Sequence, residues 1–228
     1  MMTLRAIIFD FDGVIANTEP LHLRAYQEVI AAEGLTLTEQ DYYARYLGFD
    51  DVGTFMAVAA DSGRRWTSTD ITRLIATKAH RLEALEQNVS VLFPGAADAV
   101  RRTAAAFPIA IASGALGAEI RRILEREELM NYFSAIVAAE DTPVSKPSPE
   151  PYLSALARLT SSLSLEIVAR ECVALEDSPW GLQSARAAGM RTVAVAQTYD
   201  ASKLHSADLV IDAVASLDLR TLSQLCDS

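Results

Sequence analysis

The chain reads as an α/β protein: a mainly parallel β-sheet with helices on both faces, plus an inserted α-helical cap domain. Three observations lead there. Short β-branched and apolar runs recur at 6–9, 109–112, 135–137, 173–175, 192–195 and 209–211. Helical patterns fill most intervals between them, at 95–106, 116–128, 149–159 and 181–188. Strand then helix, repeated, describes a parallel sheet covered on both sides. The interval from about residue 20 to residue 90 breaks the rhythm, with helical stretches and no convincing strand.

Taken in order, the first run is the clearest. Ile7, Ile8 and Phe9 form a continuous apolar stretch, as expected of a strand buried on both faces. It stops abruptly at Asp10, and a second acid, Asp12, follows before Gly13. Two acids just past the end of a buried strand have no packing role. In an open α/β sheet that end is where ligands bind. The helical block then opens with Pro20 and closes its first helix at Gly34, a start and a stop signal. Further helices are expected at 38–46 and 69–87, and the sheet resumes after Phe93-Pro94-Gly95. The expected division is a core of residues 1–17 and 91–228 and a helical cap of residues 18–90.

Composition narrows the function classes. Of 228 residues half are hydrophobic, enough for a sizeable core, and the net charge is −10. Nucleic acid and anionic membrane surfaces both want basic patches, so neither is an expected partner. No run reaches the roughly 18 apolar residues of a membrane span. The first strand starts by about residue 5, leaving no space for a signal peptide. Cys172 and Cys226 lie far apart without His or Cys at metal-ligand spacing, so a reducing cytoplasm is the default. Nothing suggests an obligate partner, and a monomer is expected.

Four loops, each after an expected strand, carry the chemistry. The first holds Asp10 and Asp12; the second, in IASGA, holds Ser113 and Gly114. The third, VSKPSPEPY, sets Lys146 in proline-stiffened backbone before a helix, and the fourth, LEDSPWG, puts Glu176 beside Asp177. Four acids gathered at one edge call for a cation, and oxygen ligands suit Mg²⁺. A hydroxyl, backbone amides and an ammonium beside them are what a phosphoryl group wants.

Those loops carry a resemblance. DFDGV at 10–14, ASG at 112–114, SKP at 145–147 and EDSPWG at 176–181 match, in order, the four motifs of the haloacid dehalogenase superfamily. The chain resembles its group of β-phosphoglucomutase and sugar-phosphate phosphatase relatives, over most of residues 1–25 and 92–212. The resemblance implies a Rossmann-like core and a helical cap. It also implies Asp10 as nucleophile forming an aspartyl-phosphate and Asp12 as general acid and base. Ser113, Gly114 and Lys146 then hold the phosphoryl group, while Asp10, the Asp12 carbonyl, Glu176 and Asp177 hold Mg²⁺. Asp12 favours phosphate esters, since the dehalogenase and phosphonatase branches lack a carboxylate there. In the cap the resemblance implies substrate roles for Thr18, His22, Gly48 and Lys78.

One segment departs from the group. Shortly after Gly48, where the mutase has an arginine that grips a second phosphate, this chain has Asp50 and Asp51. Acids facing a phosphate repel it. The expectation is therefore a Mg²⁺-dependent phosphatase acting on a small phosphate ester, most naturally a sugar phosphate. A β-phosphoglucomutase-type phosphomutase is the alternative enzyme. A non-catalytic binding protein of the same fold is the alternative outside catalysis, although such a protein should have lost Asp10, Asp12 or Lys146.

Overall fold

A computed structural model describes residues 3–47, 49–87, 90–164 and 166–227, and it divides into two compact units: residues 1–17 with 91–228, and residues 18–90. Within the first unit the insertion begins and ends at neighbouring points. Asn17 donates its backbone N–H to the Val91 carbonyl (2.6 Å), and Ala16 forms a bridge with Leu92.

The inserted unit is helical: α1 Glu19–Ala32, α2 Glu39–Asp41 running into a π-helical turn Tyr42–Tyr46, α3 Asp51–Ser62 and α4 Ser68–Glu86. Leu23, Tyr26, Val29 and Ile30 of α1 pack with Phe55 and Val58 of α3 and Ile71 and Leu74 of α4. Local chemistry sets the helix starts. Pro20 lies in the first turn of α1, Asp50 caps α3 by accepting from Gly53 N (2.7 Å), and Thr67 with Asp70 forms a reciprocal capping box on α4. Helix α3 was not among the expected elements. An opening Asp-Asp pair and Gly53 hide its helical period, and burial of Thr54, Phe55, Val58 and Ala59 is what stabilises it.

The other unit carries a sheet of β1 Ala6–Phe9, β2 Ile109–Ala112, β3 Phe133–Val137, β4 Cys172–Glu176, β5 Arg191–Val195 and β6 Leu209–Ile211. All pairs are parallel, in the order β3-β2-β1-β4-β5-β6, the doubly wound Rossmann-like arrangement. Ile7 and Phe9 point to one face and Ala6 and Ile8 to the other, and all four are fully buried. Helices α5 Ala96–Ala106, α6 Gly117–Arg126, α7 Glu150–Leu163, α8 Pro179–Ala187 and α9 Leu219–Asp227 accompany the sheet. Strands β1, β2 and β6 have the expected ends and the other expected elements are present with shifted ends; α7 runs on to residue 163, and α9 adds an element.

The register decides where the loops emerge. Phe9 lies level with Ile111 of β2 and Leu175 of β4, and Ala112 with Val137 of β3. Residues following these strands therefore leave the sheet along one edge. The chain reverses its winding direction between β1 and β4, so the β1 and β4 loops flank the switch point where such sheets bind ligands. On one face Ala110, Ala112 and Ala174 leave room for α7, whose Tyr152, Ala155, Leu156 and Leu159 fill it.

Candidate active site

The loop after β1 turns tightly, with Ile15 N and Ala16 N both bonding the Phe11 carbonyl and Asp10 Oδ1 accepting from Phe11 N (2.7 Å). Gln197 braces it, donating to the Gly13 carbonyl (3.1 Å) while accepting from Val214 N (2.9 Å). Gly13 is required twice over. Its φ of +78° is left-handed, and a Cβ there would lie 2.0 Å from Asp177 Oδ2. The loop can therefore lie directly against the Asp177 carboxylate. Asp12 is half-buried two residues beyond Asp10.

From the β3–α7 loop, Lys146 reaches in and bridges two acids, with Nζ 3.1 Å from Asp10 Oδ1 and 2.5 Å from Glu176 Oε1. Glu176 is the last residue of β4 and is wholly buried. Its Oε1 also accepts from the Tyr152 hydroxyl (2.8 Å), and Oε2 faces Asp177 N, Ser178 N and Ser178 Oγ at 3.2–3.4 Å. Ser178 in turn caps α8 by accepting from Gly181 N (3.1 Å). A Cβ on Gly181 would fall 2.0 Å from the Glu176 carboxyl carbon. Gly181→Ala is accordingly expected to destabilise the protein by about 1–3 kcal/mol. Chemical denaturation tests this, and an unchanged midpoint would mean that the carboxylate has room to move.

After β2, Ser113 is buried with its N–H on the Val137 carbonyl (3.0 Å), and its Oγ accepts from Ala115 N (3.1 Å). Gly114 is exposed, and a Cβ there would meet nothing within 4 Å.

Oxygen atoms of Asp10, Glu176 and Asp177 lie within 4.8 Å of one another. Burial, then the Glu176 charge, pushes the Asp10 carboxyl up to about 7, although Lys146 pulls it back. Burial, Glu176 and Asp10 hold Asp177 well above the usual carboxylate range, against a hydrogen bond from Thr198. Burial works against the Lys146 charge, but Asp10 and Glu176 outweigh it and raise its pKa above the ordinary value. One ammonium among three carboxylates leaves excess negative charge. A buried all-oxygen set in that state fits a hard divalent cation such as Mg²⁺. Asp10 and Asp177 are the better-placed ligands, since Glu176 is engaged on both oxygens.

In the helical unit, Thr18 is buried at the start of α1, and its carbonyl accepts from Leu21 N (2.8 Å) and His22 N (3.0 Å). Lys78 of α4 is 2% exposed, with Nζ 2.9 Å from His22 Nδ1, 2.8 Å from Asp51 Oδ1 and 4.8 Å from the Tyr26 ring centroid. The Tyr26 hydroxyl donates to the same Asp51 oxygen. This changes the reading of the acidic pair. Asp50 is a helix cap and Asp51 is paired with Lys78, which weakens the repulsion of a phosphate expected of these two acids. Gly48 lies outside the described residues.

Three contributors escaped the sequence reading. Tyr152 ends the VSKPSPEPY segment, in which only Lys146 was given a role. Thr198 and Gln197 follow β5, whose loop was given no role, although every loop after a strand of this sheet opens on the same edge.

The chain is similar to characterised proteins along most of its length. The profile of the haloacid dehalogenase-like hydrolases matches residues 7–195. The protein CbbY of Rhodobacter capsulatus is 32% identical over 205 residues, 87% of this chain and 88% of that protein. The fructose-1-phosphate phosphatase YqaB of Escherichia coli K12 is 30% identical over 189 residues, 83% of this chain and 95% of that protein. The crystal structure of CbbY from Rhodobacter sphaeroides in complex with xylulose-(1,5)bisphosphate superposes with a TM-score of 0.82 at 26% identity, covering 96% of this chain and 99% of that one. With its motif loops assembled at one sheet edge and its sequence matched from the first strand to the fifth, this chain belongs to the haloacid dehalogenase-like hydrolase family.

Proposed function

We propose that the chain is a Mg²⁺-dependent phosphatase that hydrolyses a small phosphate ester, a phosphorylated sugar or polyol, through a phosphoryl group carried on Asp10. The observation that carries this reading is the Asp10–Lys146–Glu176–Asp177 cluster, a buried set of carboxylates with one ammonium bridging two of them. Relatives named as sugar-phosphate phosphatases support it.

Asp10 Oδ attacks phosphorus as the ester P–O bond breaks, and Asp12 gives its proton to the departing alkoxide. Asp12, now a base, takes a proton from water as the water oxygen attacks the same phosphorus, releasing phosphate and restoring Asp10. Lys146 and the backbone amides beside Ser113 and Gly114 hold the non-bridging oxygens. Asp10, Asp177 and the Asp12 carbonyl would hold a bound Mg²⁺, which would supply positive charge where a carboxylate must approach a phosphate dianion. The choice among esters is assigned to the helical unit, through Thr18, His22, Gly48 and Lys78.

The test is phosphate release from a panel of sugar and polyol phosphates with Mg²⁺ and with EDTA. Release that needs the metal is the expected result. No release, with β-glucose 1-phosphate isomerised once a bisphosphate primer is present, would make the protein a mutase instead.

A further inference from the structure

Tyr152 is fully buried on the first turn of α7, six residues after Lys146, and it touches both halves of the Lys146–Glu176 pair. Its hydroxyl lies 2.8 Å from Glu176 Oε1, the oxygen that Lys146 Nζ also contacts, and its ring centroid lies 5.0 Å from that Nζ. The partner atom is a carboxylate oxygen, which accepts, so the hydroxyl donates. Two donors thus share one carboxylate oxygen, while the same ammonium reaches Asp10 at 3.1 Å.

We propose that Tyr152 is a positioning residue for the phosphoryl-binding lysine: by satisfying part of the Glu176 charge it keeps Lys146 shared between Glu176 and Asp10. The inference rests on the phosphatase reading for what Lys146 grips, and on the geometry alone for how Lys146 is held. Without the hydroxyl, Glu176 Oε1 has only the ammonium, which is drawn toward β4 and away from the group on Asp10. The ring beneath Nζ closes the opposite side, where water would otherwise solvate the charge. Tyrosine serves both ends of this arrangement, and phenylalanine serves only one.

Tyr152→Phe separates them, because it keeps the ring and the packing of α7. Steady-state hydrolysis and calorimetric binding of inorganic phosphate to the Mg²⁺-loaded protein are measured beside Thr103→Val. That control removes a buried hydroxyl which donates to Ala99 O (2.7 Å) within α5 and contacts neither Lys146 nor Glu176. The expected result for Tyr152→Phe is a five- to twentyfold fall in kcat, a KM within twofold, and phosphate bound several-fold more weakly. Thr103→Val is expected to lower only the melting temperature. If Tyr152→Phe leaves kcat and phosphate affinity unchanged, or shifts nothing beyond what Thr103→Val shifts, the positioning role is wrong and Tyr152 is a packing residue. Weakened phosphate binding in a protein that hydrolyses no ester would remove the phosphatase reading and retain the role of Tyr152. A wild-type protein that binds no phosphate would remove both.

Discussion

Asp10→Asn is expected to cut phosphate release by at least about 10³-fold, because a neutral amide is a poor nucleophile toward phosphorus. The same substitution should not unfold the protein. Asn matches Asp in shape, and Asp10 Oδ1 serves the structure through Phe11 N and Lys146. Burial beside Glu176 raises the Asp10 carboxyl to about 7, so above that pH the metal-free fold carries a charge it disfavours. In linkage terms, a raised carboxyl pKa makes the fold progressively less stable as pH climbs from the ordinary value of about 4 through the raised one. The metal-free variant should therefore melt no lower than metal-free wild type at pH 8, and the same variant supplied with Mg²⁺ should still be inactive. Residual turnover within tenfold of wild type would exclude Asp10 as the group that receives the phosphoryl.

Asp51→Ala is expected to destabilise the helical unit by about 3–5 kcal/mol, the usual consequence of stranding a buried charge. The Lys78 side chain is 3% exposed and, among the described residues, would keep His22 Nδ1 and the Tyr26 ring. Lys78→Met should cost less, because the Asp51 side chain is 24% exposed, reaches water and retains the Tyr26 hydroxyl. Burial raises the Asp51 carboxyl, but Lys78 outweighs it and the net pKa lies below the usual value. The sign is then that of a depressed acid: the stabilisation is complete above about pH 4 and fades as pH falls through the folded value. Hydrogen exchange over residues 18–90 reads both effects. Equal losses in the two variants, or an Asp51→Ala protein whose exchange matches wild type, would show that Lys78 finds another partner.

Much of the core site was legible in the chain before any coordinates. A strand buried on both faces must be uniformly apolar, so the break from Ile8-Phe9 to Asp10 marks its end and an acid without a packing role together. Lys146 was legible because prolines stiffen its loop, and Gly13 because the turn stands beside Asp10. Tyr152 was not. Along α7 it occupies an ordinary apolar position, and only the register of β1, β2 and β4 beneath it places its hydroxyl on Glu176. The acidic pair at 50–51 was legible as charge, but the partner that neutralises Asp51 was not. Asp50 is an N-cap, and its partner Gly53 lies three residues on, whereas the Lys78 that neutralises Asp51 lies 27 residues away on another helix.

Local pattern is a property of neighbours along the chain, so the order of strands and helices, their capping residues and the loops bearing acids follow from the amino-acid order. Which charges meet is a property of packing. Three carboxylates came to lie together, two of them sharing one ammonium, because a parallel sheet wound in opposite directions from β1 brought the ends of β1 and β4 side by side, and no spacing in the sequence records that distance.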